Sequence, residues 1–167
     1  MKNSKIIWGL GVLLLFGGLI IYAKPNADQK KDDAPKVVKG TGTLLVPETK
    51  YDFGTISMKK GKVTHTFKVK NTGDAPVSVE KMYTSCMCTT ATLFKADEKF
   101  GPFGMPGHVA IPKINIVLEP GEEISVDTVF DPNAHGPAGV GKIERIVVLE
   151  NSAGSPVELK FSAYVTP

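Results

Sequence analysis

The residues whose types could support chemistry are few, and two of them stand almost side by side. Both cysteines of the chain fall in one tripeptide, Cys86-Met87-Cys88. Two thiolates at this spacing can present their sulfurs to one soft ion such as Cu(I), and imidazole ligands suit copper or zinc. The pattern therefore predicts a copper or zinc site in which methionine and histidine side chains complete the shell. The candidate ligands are Cys86, Cys88, Met105, His108 and His135.

Two other hypotheses explain the same tripeptide. In an extended strand, residues two apart have Cα atoms about 6.5 Å apart, which is the upper edge of disulfide geometry. A bridge at that spacing would be easily reduced, so a redox dithiol is the second hypothesis. The third is that the cysteines are small buried residues at a strand end, or a local staple in an oxidising compartment. All three hypotheses stay open at this point.

Other function classes are disfavoured by what the sequence lacks. The chain contains no Gly-x-Ser-x-Gly elbow and no His-Glu-x-x-His pair, so we expect no enzyme of those types. The Gly-rich stretch 136–141 precedes no helical pattern and is therefore not a phosphate cradle. The net charge is +3, without a basic run interleaved with aromatic residues, so no nucleic-acid partner is expected.

The elements that must position the cysteines are short alternating segments separated by turn residues. Their number and spacing predict an all-β fold, an immunoglobulin-like seven-stranded antiparallel β-sandwich, following one N-terminal transmembrane helix. The segment 143–149 is apolar on both faces and is predicted to be a central strand. The seven predicted strands cover 51–56, 63–70, 77–84, 114–118, 124–130, 143–149 and 157–165.

Strand directions predict where the candidate ligands lie. Successive strands of such a sandwich mostly alternate in direction, so the loops 85–112 and 131–141 should meet at one end, here called the loop pole. This end is opposite the one where the chain enters the first strand. Loops at one end of a rigid sandwich commonly carry binding function. His65, near the start of the second strand, is expected at the same end as a partly buried residue with a satisfied hydrogen bond.

The N-terminal region predicts a membrane attachment. Residues 6–23 are uncharged and strongly apolar, and a helix of this length just spans a hydrocarbon core of about 30 Å. We interpret residues 1–23 as a membrane anchor or signal peptide, 24–45 as a flexible linker and 46–167 as the sandwich domain. A short basic N-terminus ahead of an apolar run favours export, although lysines on both sides leave the topology open by charge alone.

Several motifs together resemble a known family. They are the segments 52–56 (DFGTI), 63–73 (VTHTFKVKNTG), 84–90 (TSCMCTT), 120–122 (PGE) and 130–132 (FDP). In this order they resemble the bacterial domain-of-unknown-function family 1573, over roughly residues 48–165. The resemblance implies an immunoglobulin-like module, similar to sandwiches of the major-sperm-protein type, that is exported or tethered to a membrane. The chain departs from the family in having Met87 where glycine is usual and an insertion at about 93–113.

These observations predict a membrane-tethered, extracytoplasmic immunoglobulin-like domain that acts as a binding or structural module and not as an enzyme. Its expected partner is another protein, bound through an exposed strand edge or through the loop pole. The alternatives are a copper- or zinc-binding domain that uses the Cys-Met-Cys loop and a thiol–disulfide redox module.

Overall fold

The computed structural model describes residues 42–167, which fold into ten β strands and two short 3₁₀ turns. The predicted all-β class is therefore confirmed. The 3₁₀ turns are Met58–Lys60 and Gly136–Gly139. The strands are β1 (Leu44–Leu45), β2 (Lys50–Ser57), β3 (Val63–Asn71), β4 (Val77–Thr84), β5 (Thr89–Lys95), β6 (Glu98–Phe103), β7 (Ile116–Leu118), β8 (Glu123–Phe130), β9 (Gly141–Asn151) and β10 (Val157–Thr166).

The strands form two five-stranded sheets that enclose a common core. One sheet has the order β1-β3-β8-β5-β6, and the other has the order β2-β10-β9-β4-β7. The pair β2 and β10 is parallel, and the other neighbouring pairs are antiparallel. The two-sheet sandwich is therefore confirmed, and β9 occupies the central position predicted for segment 143–149. The prediction that all strands pair antiparallel is wrong for β2 and β10, because both strands run in the same direction.

Alternation of apolar and polar residues explains which face of each strand is buried. Ile124 and Val126 on β8, and Leu159 and Phe161 on β10, are all at most 1% exposed. Side chains two apart in a strand point to the same face, so each strand contributes one apolar row to the space between the sheets. Each such side chain contributes about 1.5–3 kcal/mol when it is fully buried.

The predicted count of seven strands is not confirmed, because the described residues contain three more. Two of the additional strands, β5 and β6, form a hairpin inside the region 85–112, which was predicted to be a loop. In β5, Ala91 and Leu93 are fully buried, but the segment is short and threonine-rich, and Phe94 follows Leu93 directly, which interrupts the alternation. In β6, Gly101 and Pro102 are residues that strands usually avoid. The sequence therefore did not predict a strand at this position.

The third additional strand, β1, lies inside the range 24–45 that the sequence assigned to the linker. Leu44 and Leu45 pair with Asn71 and Lys70 of β3. The Thr72 N–H donates a hydrogen bond of 2.8 Å to the Thr43 carbonyl, which extends this contact by one residue. The sandwich therefore begins at least two residues before the predicted boundary at residue 46.

The extra hairpin leaves the predicted strand directions unchanged, because it adds two strands of opposite direction. Strand β4 runs towards the cysteines, β5 returns, and β6 runs back to the same end, where the Gly104 carbonyl accepts a hydrogen bond from the Thr84 N–H. At the opposite end, Gly42 packs against Val77 and the carbonyl of Ala75. The described chain thus enters at the end opposite the loop pole.

The predicted N-terminal anchor, residues 1–23, lies outside the described residues. Between residues 42 and 167, no helix has both the length and the hydropathy needed to cross a membrane.

Asn71 ties the two sheets together at the end where the chain enters. Its side chain is fully buried, and its Nδ2 donates hydrogen bonds of 2.9 Å to the carbonyls of Ala75 and Leu118. Its Oδ1 accepts a hydrogen bond of 3.0 Å from the Gly73 N–H. One asparagine at the end of β3 therefore satisfies polar backbone atoms of its own turn and of β7 in the other sheet.

We expect Asn71→Ala to lower the free energy of unfolding by about 2–4 kcal/mol, because it leaves buried backbone groups without partners. Asn133→Ala is the matched control. Asn133 is exposed and donates one hydrogen bond of 2.8 Å to the Met58 carbonyl, so its loss should cost less than about 1 kcal/mol. Urea denaturation followed by circular dichroism measures both variants, and equal losses would contradict this role for Asn71.

Candidate functional site

The cysteines lie on a tight turn that carries the chain from one sheet to the other. Strand β4 ends at Thr84 and β5 begins at Thr89, so only residues 85–88 make the crossing. The Thr89 N–H donates a hydrogen bond of 3.1 Å to the Cys86 carbonyl, which closes the turn. The buried Thr84 hydroxyl lies 3.0 Å from the Cys86 carbonyl and 3.1 Å from the Thr89 carbonyl. The backbone that presents both sulfurs is therefore fixed from inside the sandwich.

The two cysteines are joined by a disulfide bond in the structure. Their Cα atoms are 5.3 Å apart, within the usual range for disulfides. The expectation of about 6.5 Å, which assumed an extended strand, is wrong because residues 86–89 form a turn. Cys88 is only 3% exposed, whereas Cys86 is partly exposed and Met87 between them is 50% exposed.

His135 approaches the first sulfur from the loop that follows β8. Its Nε2 lies 3.1 Å from Cys86 Sγ. The loop is attached to the cysteine turn by a hydrogen bond of 2.9 Å from the Asp131 N–H to the Cys88 carbonyl. Within the loop, the Asn133 N–H donates a hydrogen bond of 2.9 Å to Asp131 Oδ1. These contacts fix the part of the loop that precedes His135 and so help to hold its imidazole near the sulfur.

Arg145 approaches the second sulfur from the central strand β9. Its Nε–H donates a hydrogen bond of 3.2 Å to Cys88 Sγ, and its guanidinium also donates to the Glu144 carbonyl at 2.7 Å. Sequence reasoning missed this residue because it treated the segment 143–149 as an apolar strand. A signal was present: Arg145 is the only arginine in the chain, and together with Glu144 it interrupts the apolar segment 143–149. Arginine is preferred where a planar, permanently charged donor is needed.

Each sulfur therefore has two polar neighbours, one of which is an N–H group that donates a hydrogen bond to it. Cys86 Sγ accepts from the Cys88 N–H at 3.4 Å and faces His135 Nε2. Cys88 Sγ accepts from Arg145 and lies 3.7 Å from the Thr89 hydroxyl. A thiolate accepts hydrogen bonds more strongly than a disulfide sulfur does, and nearby cations stabilise it. The surroundings are thus better matched to the reduced, negatively charged pair than to the bridged one.

Not all the candidate ligands meet. The ligand atoms of Cys86, Cys88 and His135 lie within 4.8 Å of one another, and within residues 42–167 no further histidine, cysteine or acidic side chain joins this group. His108 is exposed in the loop after β6, and its N–H donates to the Met105 carbonyl at 3.2 Å. The predicted ligand roles of Met105 and His108 gain no support from this geometry, although both residues belong to the loop pole.

His65 has a structural environment of its own. Its ring stacks on Tyr51 with centroids 3.6 Å apart, and its Nε2 lies 2.8 Å from Glu48 Oε2. The side chain is 17% exposed. These contacts agree with the expectation of a partly buried histidine with a satisfied hydrogen bond.

Solved structures with similar folds are related only distantly in sequence. A protein of unknown function from Porphyromonas gingivalis W83 is 14% identical with a TM-score of 0.52, and the match covers 74% of this chain and 46% of that one. This chain thus spans less than half the length of that protein, and the likeness shows the fold alone.

Two other matches cover most of the partner structure. The ASH/PapD-like domain 7 of human CEP192 is 15% identical with a TM-score of 0.44, over 78% of this chain and 91% of that one. The CooA pilin subunit from enterotoxigenic Escherichia coli is 14% identical with a TM-score of 0.41, over 77% and 100%. No curated protein matches the chain significantly.

A family model matches part of the chain at the level of sequence. It covers residues 44–102 and is described as protein of unknown function, DUF1573. The matched segment includes β1 to β5, most of β6 and both cysteines, whereas His135 and Arg145 lie beyond it. Residues 44–102 therefore match the DUF1573 family, which confirms the resemblance that the motifs indicate.

Proposed function

We propose that this immunoglobulin-like domain is a thiol–disulfide redox module, in which the Cys86–Cys88 bridge exchanges with thiols of a partner protein. The observation that supports it most directly is that polar groups face both sulfurs, with His135 Nε2 3.1 Å from Cys86 and the permanently charged Arg145 donating from Nε at 3.2 Å to Cys88. A purely structural bridge has no need of a cationic donor such as Arg145. A bridge that opens does, because the two thiolates must then be stabilised.

Exposure assigns different roles to the two sulfurs. Cys86 is partly exposed, whereas Cys88 is 3% exposed, so an incoming thiolate can reach Cys86 Sγ and not Cys88 Sγ. Attack therefore occurs at Cys86, and Cys88 is the leaving sulfur. Met87, which is 50% exposed between them, offers an apolar surface on which the partner can rest.

The exchange has two balanced steps. A partner thiolate attacks Cys86 Sγ, the intramolecular bond breaks, and its electron pair leaves on Cys88 Sγ, where Arg145 stabilises the charge. A second thiolate of the same partner then attacks the partner sulfur of this mixed disulfide and releases the Cys86 thiolate beside His135. The partner dithiol becomes a disulfide and loses two electrons, which reduce the cysteine pair.

The donors also decide the preferred direction. Contacts that stabilise the reduced form of a dithiol make its disulfide a stronger oxidant. Because Arg145 and His135 face the sulfurs, the module is expected to donate its disulfide to partner thiols. A partner that exchanges thiols in this way would bind at the loop pole, which is one of the two surfaces predicted from the sequence. Binding at a strand edge alone would not bring the partner to the cysteines.

The proposed location is outside the cytoplasm, with the domain tethered by residues 6–23. Two arguments support it. The apolar segment has the length and flanking residues of a membrane anchor, and stable disulfides belong to oxidising compartments. A reporter fused after Pro167 that is active only outside the cytoplasm tests this location. We expect activity there, and activity confined to the cytoplasm would overturn the proposal.

Equilibration of the full chain with glutathione buffers, followed by thiol trapping and mass measurement, tests the redox function. A charge-assisted hydrogen bond contributes about 1.5–3 kcal/mol, and about 30 mV corresponds to about 1.4 kcal/mol for two electrons. Since Arg145 is partly exposed, we expect Arg145→Gln to make the reduction potential more negative by roughly 30 mV, and His135→Ala to shift it less in the same direction.

Lys142→Gln is the matched control, since Lys142 is an exposed cation on the same strand, β9, and should leave the potential unchanged. If Arg145→Gln and Lys142→Gln give the same potential as the unaltered chain, the donors do not tune the pair. A bridge that glutathione does not reduce would exclude the redox function itself.

A further inference from the structure

We propose that the reduced site binds one Cu(I) ion through Cys86 Sγ, Cys88 Sγ and His135 Nε2. The three ligand atoms already lie within 4.8 Å of one another. In zinc sites, metal–sulfur distances of about 2.3 Å and metal–nitrogen distances of about 2.0–2.1 Å place the ligand atoms at most about 4.6 Å apart, and a single metal ion at this site would require a similar spacing. Opening the bridge lets the two sulfurs separate to such distances by side-chain rotation, while the turn 85–88 keeps its backbone.

The composition of the ligand set favours Cu(I) over the other candidate, Zn(II). Two thiolates and one imidazole are soft or borderline ligands, which select Cu(I). Structural zinc sites are closed by four protein ligands, and within residues 42–167 no fourth histidine, cysteine or acidic side chain joins these three. The geometry therefore provides a three-ligand site on the surface, without the closed tetrahedron that zinc requires for structural binding.

The charge balance of the site also favours Cu(I) over Zn(II). A Cu(I) ion with two thiolates and a neutral imidazole carries one net negative charge. The guanidinium of Arg145, with Nε 3.2 Å from Cys88 Sγ, supplies one compensating positive charge without being a ligand, since arginine stays protonated. A divalent ion would already neutralise both thiolates and leave Arg145 facing a neutral centre.

Groups around the three ligands form hydrogen bonds to the ligand sulfurs, as is common around bound metal ions. The Cys88 N–H points at Cys86 Sγ at 3.4 Å, and the Thr89 hydroxyl lies 3.7 Å from Cys88 Sγ. Such outer hydrogen bonds orient metal ligands and tune the bound ion. Cys88 is 3% exposed and His135 is exposed, so the ion would enter and leave from the imidazole side.

This inference rests on the proposed redox function only in requiring that the bridge can be reduced. Disulfide exchange and Cu(I) binding use the same sulfurs and exclude each other in time. The two are nevertheless separable, because exchange needs an accessible Cys86 and a leaving Cys88, whereas copper binding also needs the imidazole of His135 as a ligand.

The test uses the full chain, reduced and freed of small thiols without oxygen, and titrated against the Cu(I) complex of bicinchoninate. We expect the chain to withdraw one equivalent of Cu(I) with a ligand set of two sulfurs and one nitrogen by X-ray absorption. His135→Ala should weaken the affinity at least about tenfold, since even outer partners contribute about 10–100-fold. His135 is exposed, so this variant keeps the core intact.

His108→Ala is the matched control, because His108 is an exposed histidine of the same pole outside the cluster, and it should bind Cu(I) like the unaltered chain. Equal affinity of His135→Ala and the unaltered chain would overturn the proposed ligand set. Retention of Zn(II) against a Cu(I) challenge would overturn the proposed ion. A chain that takes up no Cu(I) but still exchanges with glutathione would refute copper binding alone, and Cu(I) uptake without exchange would refute the redox function alone.

Discussion

The sandwich must pass its chain from one sheet to the other between β4 and β5, and it does so in four residues, 85–88. A crossing this short requires a closed turn, which the Thr89 N–H and the Thr84 hydroxyl hold from within. The turn places Cys86 at the surface and Cys88 beneath it. Every other feature of the site depends on this crossing, because it brings the sulfurs to the end where the loop after β8 and the central strand β9 can contact them.

The donors around the sulfurs give one physical account of both proposals. Positive and N–H groups stabilise negative sulfur, whether the charge is carried by free thiolates or by thiolates bound to a monovalent ion. Arg145 reaches Cys88 from a rigid central strand, and His135 reaches Cys86 from a loop that is bonded to the Cys88 carbonyl. A site of this kind needs no separate pocket, since its specificity lies in which sulfur is exposed and which donor faces it.

The sequence predicted most of the sandwich from the alternation of apolar residues, and part of the site from the directions of the strands. Strands such as β8 and β10 alternate regularly and were found within one or two residues. In the hairpin β5–β6, the adjacent apolar residues Leu93 and Phe94 and the pair Gly101-Pro102 break the alternation, so the sequence does not show these strands. The clustering of Cys86 and His135 followed from strand direction, which an added hairpin leaves unchanged. Strand direction predicts at which end of the sandwich a loop lies, but not which residues touch there. The predicted ligand set therefore also included Met105 and His108. Arg145 was missed because the contact of its Nε–H with a sulfur is set by the register of β9 against its neighbours, which the sequence does not display.

The central claim is that the folded domain stabilises the reduced pair rather than the bridge, and unfolding measurements on the two redox forms test it most directly. By the chain-entropy relation, a passive staple closing three residues would make the oxidised form more stable by about 1.6 kcal/mol. If Arg145 and His135 together stabilise the thiolates by at least this amount, the cycle linking folding and reduction requires that the advantage vanish or reverse. We therefore predict that urea unfolds the reduced domain at the same concentration as the oxidised one, or at a higher concentration. An oxidised domain more stable than the reduced one by about 1.6 kcal/mol or more would contradict the account and identify the bridge as a structural staple.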